Sequence, residues 1–216
     1  MLFLTQDHTQ ILDDTLYNLI TNGNWKLVTK TVLANKGKAA PYYSPCCHKC
    51  KSTHSPLLLT CKLNPPLKVI DTLLKDNPSA AMETDCIGRL PLHVACEYSA
   101  STKVIRRILI ANKKAVSAKD RRGMLPLHLL CRFYSRNAPL CKIEESVEKS
   151  MKKILKTLIE VRPKTILKID NEGMCPIEHA IMSHASVAIL NELIKRSTQE
   201  RMRNQATQAE QVAQAA

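Results

Sequence analysis

Residues 88–96 read GRLPLHVAC and residues 123–131 read GMLPLHLLC, each nonapeptide beginning three residues after an aspartate, Asp85 or Asp120. The copies lie 35 positions apart. Self-similarity at a fixed period of this size marks chains built from stacked copies of one supersecondary unit. Counting backward from Pro91 by one period reaches SPLLLTC, where Pro56, Leu57 and Cys61 hold the matching positions. A further copy, 50 residues after Pro126, reads DNEGMCPIEHA, in which Asp170, Gly173, Pro176 and Ile177 stand where Asp85, Gly88, Pro91 and Leu92 stand.

The apolar runs that follow keep the same clock. VIDTLL starts at Val69, VIRRIL at Val104, ILKTLI at Ile154 and ILNELI at Ile189. The step between the second and third runs is 50, so 15 extra residues lie between them, placed at Ser135–Lys149. A divergent first unit has Val28 in the place of Val69, a step of 41, which puts about six extra residues in PYYSPCCHKCKSTH. The units fall at about 11–40, 55–84, 90–119, 125–169 and 175–197, with insertions at about 41–54 and 135–149. Residues 1–197 read as one domain and 198–216 as a polar tail, helical or disordered.

Within a unit, proline follows a short turn and opens an apolar run, which suits the first position of a helix, where the missing N–H costs nothing. Pro56, Pro91, Pro126 and Pro176 are therefore expected to start helices. The second run has i, i+1, i+4, i+5 spacing: Val104, Ile105, Ile108 and Leu109 share one face and leave Arg106 and Arg107 on the other. A glycine-bearing turn such as NKKAVSAKDRRG closes the unit. One such pair cannot bury its apolar face alone, so the units are expected to stack. The fold class is all-α, a helical repeat solenoid of about five helix pairs with projecting turns or short β-hairpins.

The pattern D-x-x-G-x-L-P-L-H-x-A resembles the ankyrin repeat, D-x-x-G-x-T-P-L-H-x-A. Asp85, Gly88, Pro91, Leu92, His93 and Ala95 match it directly, as do Asp120, Gly123, Pro126, Leu127 and His128. The resemblance spans roughly residues 10–197 and is strongest in the two central units. It departs where Leu90, Leu125 and Cys175 replace the usual threonine, so the family's threonine–histidine hydrogen bond cannot form there. Leu58 and Glu178 replace the histidine in two units, and the glycine usual between the helices is missing from EYSAST. The resemblance implies a non-enzymatic protein-interaction module that uses its turn tips and inner helix face.

The chain has 216 residues, 44% of them hydrophobic and few of them aromatic, which fits a helical core of Leu, Ile, Val and Ala. The opening MLFLTQDH is too short in apolar residues for a signal peptide, and no run approaches membrane-spanning length. An intracellular location, cytoplasmic or nuclear, is expected. Nine cysteines without such a signal read as reduced thiols, and Cys61, Cys96 and Cys131, at one register position, read as small core residues.

The net charge is +13, and Ser101–Ser135 holds nine basic residues against the single acid Asp120. Such a field steers acidic partners and attracts nucleic acid nonspecifically. Arg106 and Arg107 read as solvated surface, whereas Arg121 and Arg122 occupy a projecting turn tip, where binding and plain solvation are both open. The candidate partner-binding residues are Arg89, Tyr98, Lys119, Arg121, Arg122, Arg132 and Tyr134, since arginine and aromatic side chains commonly anchor interfaces.

No phosphate-cradling glycine loop, G-x-S-x-G or H-E-x-x-H is present, and no acid, base and nucleophile can be placed together, so an enzyme is not expected. His93 and His128 belong to the unit's motif. The cluster CCHKCKSTH places Cys46, Cys47, Cys50 and His54 within nine residues, and zinc requires four such ligands. The C-x3-C-x3-H spacing fits no standard finger, and the favoured reading is an extended loop without metal. No cofactor is expected. The expected partner of this monomer is another protein, with acidic surface the best complement. Nucleic acid on residues 101–135 and a zinc-stabilised insert are the alternatives.

Overall fold

The computed structural model describes residues 16–35, 45–47, 50–53, 55–133 and 145–215. Helices account for most of them: α1 (16–21), α2 (Trp25–Ala34), α3 (Pro56–Cys61), α4 (Leu67–Asp76), α5 (Pro91–Glu97), α6 (Thr102–Ala111), α7 (Pro126–Arg132), α8 (Glu145–Val161), α9 (Pro176–Met182) and α10 (Val187–Ala215). Among the described residues, strands occur in the first insertion. There β1 (Pro45–Cys47) pairs antiparallel with β2 (Cys50–Thr53), in the register Pro45–Thr53 and Cys47–Cys50.

The four prolines each stand at the start of a short helix, α3, α5, α7 or α9, as their spacing predicts. The N-caps differ. Ser55 keeps a hydroxyl that accepts the Leu58 amide at 3.4 Å, but Leu90 and Leu125 have no side-chain acceptor to offer. In those units the third helical residue reaches back instead. His93 Nδ1 accepts the Leu90 amide at 3.2 Å, and His128 Nδ1 accepts the Leu125 amide at 3.1 Å. Glu178 does the same at 2.6 Å for Cys175. This is one half of a capping box, and it satisfies a backbone donor without the threonine.

The short helices contact one another in sequence, α3 with α5, α5 with α7 and α7 with α9. The longer ones do likewise, α2 with α4, α4 with α6 and α6 with α8. Between the two rows lies a continuous core that includes Leu57, Ile70, Leu92, Ile105, Leu127, Leu130, Leu158 and Leu193. Cys61, Cys96 and Cys131 are buried within it, and burial pushes all three thiols above their ordinary range. They occupy the small-residue seat the sequence predicts. Each of α4, α6 and α8 is followed by a single 3-10 turn, Pro78–Met82, Lys113–Ser117 or Pro163–Leu167.

The glycine missing between paired helices is replaced by residues that accept the left-handed conformation. Asn64, Ser99 and His184 have φ of 46°, 48° and 54°, and they lie at equivalent positions of three units. At the far end, α10 passes residue 197 without a break, so the tail is helical to Ala215. Its first half is anchored by the buried Leu193, Ser197 and Glu200, whereas residues 205–214 are exposed. Among the described residues, no helix is long and apolar enough to cross a membrane.

Candidate functional site

Three turns with identical internal bonding precede α5, α7 and α9. In each, the aspartate amide donates to the carbonyl four residues on, and the glycine amide donates back to the aspartate carbonyl. These bonds join Asp85, Arg89 and Gly88, then Asp120, Met124 and Gly123, then Asp170, Met174 and Gly173. One carboxylate oxygen then accepts two further amides. Asp85 takes those of Ile87 and Arg89 at 3.1 and 2.8 Å, Asp120 those of Arg122 and Met124 at 2.9 and 2.8 Å, and Asp170 those of Glu172 and Met174 at 2.9 and 3.0 Å. The buried aspartate is thus the internal scaffold of the turn. The glycine takes φ near +75°, which side chains resist.

Neighbouring turns are bonded to each other. The Arg121 amide donates to the Ile87 carbonyl at 3.0 Å, and the Asn171 amide donates to the Arg122 carbonyl at 3.0 Å. Asn171 adds a side-chain bond, Nδ2 to the Arg121 carbonyl, at 3.2 Å. The backbone beneath Arg121 and Arg122 is held on both sides, while both residues remain exposed. Two guanidinium groups on a fixed base lose less freedom on binding than two on a mobile loop.

Arg132, at the end of α7, extends this cluster. It is half-buried, and its Nη1 lies 3.8 Å from Glu172 Oε2, at the tip of the next turn. Arg121 and Arg122 are thus tied through their backbone to Asn171, and Arg132 through its side chain to the next residue, Glu172. Those two linking residues were not among the sequence candidates, although their register exposes them, 50 positions after Arg121 and Arg122.

The remaining candidates are placed differently. Arg89 is engaged within the protein: its Nε and Nη2 each lie 2.7 Å from Asp85 Oδ2, and Nη1 pairs with Glu97. Burial works against its charge, but Glu97 and Asp85 outweigh that and raise its pKa. Arg89 ties its turn to the end of α5. Tyr98 caps α5 and packs half-buried against the core. Lys119 is exposed, and its Nζ donates to the Ile169 carbonyl at 3.1 Å. It lines a cavity with residues of the last 3-10 turn and α10 rather than joining Arg121 at the turn tip. Tyr134 and His54 lie outside the described residues. Cys46 and Cys47 stand on β1 and Cys50 on β2. Among the described residues, no group of three or more His, Cys, Asp or Glu side chains is placed to hold a metal.

The histidines bridge units. His93 Nε2 donates to the carbonyls of Ala118 and Met124 at 3.0 and 3.2 Å, and His128 Nε2 donates to the Lys168 carbonyl at 3.0 Å. Burial lowers the pKa of both, and His128, whose ring meets that of His179 edge-on at 5.7 Å, is pushed down to about 4. His179 sits one residue beyond the equivalent position because Glu178 holds the capping seat, and its Nε2 is 2.7 Å from Asp170 Oδ2. Burial opposes ionisation of Asp170, but the bonds from His179, Met174 and Glu172 outweigh it and hold that carboxyl below its usual range. These histidines are structural fasteners already supplied with partners.

In comparisons with known proteins, no family model matches this chain and no curated protein aligns with it.

Proposed function

We propose that this chain is an ankyrin-like helical repeat solenoid without enzymatic activity. It works inside the cell as a monomer, and it binds another protein through its turn tips and short-helix row. The resemblance of its repeated motif carries the fold reading, and the exact recurrence of the aspartate-centred turn in three units supports it. The observation that carries the binding reading is the cationic edge formed by exposed Arg121 and Arg122 on a cross-bonded backbone, with Arg132 beside it. Fixed arginine forks suit carboxylates, so the partner surface is acidic.

A second reading has its own observation. Lys103, Arg106, Lys153 and Lys156 line one groove of about 680 Å³ between α6 and α8, with Glu160 as the acid among the lining residues. A row of cations of this kind also suits the phosphates of a nucleic acid.

One experiment separates the two. The immobilised protein is used to capture ligands from lysate with and without nuclease, beside a variant carrying Arg121→Glu and Arg122→Glu. Protein capture that survives nuclease and is lost in the variant is the expected outcome. Capture abolished by nuclease and indifferent to the variant overturns the protein-binding reading in favour of the groove.

A further inference from the structure

We propose that the cavity between the last 3-10 turn and α10 is a binding site for a small organic anion with an apolar body. The inference is independent of the protein-binding reading, since it uses neither Arg121 nor Arg122.

The space is about 630 Å³, within the range of small-molecule sites. It forms because α10 continues past the stacked units and crosses the turn at Pro163–Leu167, against which it packs. Leu125, Val161 and Pro163 supply apolar wall. Five cations line it: Lys119, Arg162, Lys164, Lys168 and Arg203. All five are exposed enough to reach a ligand at the rim, and Lys119 is oriented by its bond to the Ile169 carbonyl. An anion entering here meets a strong attractive field, and an apolar body behind it covers the wall.

The same cavity holds one carboxylate, Glu200, which is 5% exposed where α10 packs on the 3-10 turn and lies 3.9 Å from Arg203. It offsets one of the five cations, so the lining remains net positive.

The probe is 8-anilinonaphthalene-1-sulfonate, which has a sulfonate and an aromatic body. Its fluorescence is titrated on the full chain under conditions where the protein melts in one sharp transition. Saturable binding at one site is expected. Ser117→Trp, which fills the cavity from its edge without changing charge, should abolish that binding. Arg162→Glu with Lys164→Glu should weaken it by about tenfold or more. Lys103→Glu with Arg106→Glu makes the same change in charge on the α6–α8 groove and should leave binding unaltered. An unchanged melting transition shows that each variant is folded. The proposal is overturned if no saturable binding occurs, if Ser117→Trp leaves it intact, or if the two charge-reversal pairs weaken it equally.

Discussion

His128 is held as a neutral imidazole by its surroundings: one nitrogen accepts the Leu125 amide, the other donates to Lys168, and His179 and Asp170 lie against it. Its pKa near 4 is below that of the unfolded chain, so the folded form binds a proton less readily. The stabilisation is complete above about pH 6.5 and is lost as pH falls toward 4, amounting to roughly 2 kcal/mol by pH 5. Urea melts between pH 7 and 5 should record that loss, and His128→Gln should reduce the slope by about one proton. The glycines give a second test. A methyl group at Gly123 would meet the Asn171 amide nitrogen at 2.9 Å, whereas at Gly173 nothing lies within 4 Å. Gly173→Ala should cost about 1 kcal/mol for its left-handed backbone, and Gly123→Ala clearly more. Conversely, exposed His184 at φ 54° should become about 1 kcal/mol more stable as glycine. In the sequence, Asp, Gly, Pro and His announce themselves by spacing. Ser99 and His184 do not, because a strained φ imposed by helix packing leaves no mark on residue type.

At the level of elements, Arg89 and α10 make opposite demands. Arg89 joins its turn to α5 through two carboxylates whose side chains are 1% and 8% exposed. Removing the cation leaves both charges buried, so Arg89→Ala should cost roughly 3 kcal/mol. Arg107, which bridges α6 to Asp71 of α4 at 2.5 Å with both side chains more open, should cost under about 1 kcal/mol as alanine. Thermal melts of the two variants test the contrast. Truncating α10 after residue 204 removes the exposed side chains of residues 205–214 and should shift stability by less than about 0.5 kcal/mol. Ending it before Leu193 strips a buried residue from the core and should destabilise the last unit measurably. Helix starts and buried faces were readable from proline and from the 35-residue clock. The cavity under α10 was not, because it arises where a non-periodic helix crosses a periodic stack.

Across the whole molecule, the +13 charge is distributed over distinct surfaces: the turn-tip edge, the α6–α8 groove and the cavity beneath α10. Sequence alone shows one dense stretch at Ser101–Ser135; the packing divides it between surfaces and adds cations from further along the chain, such as Lys153, Lys156, Arg162 and Arg203. Long-range attraction between exposed charges is screened within about 8 Å at physiological salt. Affinity for an acidic protein partner should therefore fall as salt rises, and the Arg121→Glu, Arg122→Glu variant should flatten that dependence in a salt titration of binding. The α7–α8 connection has a further consequence. Successive short helices and successive long helices meet alike whether the step between units is 35 or 50 residues, so stacking does not depend on the length of chain spanning that pair. The connection is therefore a natural port for engineering, where a fluorescent reporter could be spliced in mid-chain while both termini stay free for tethering.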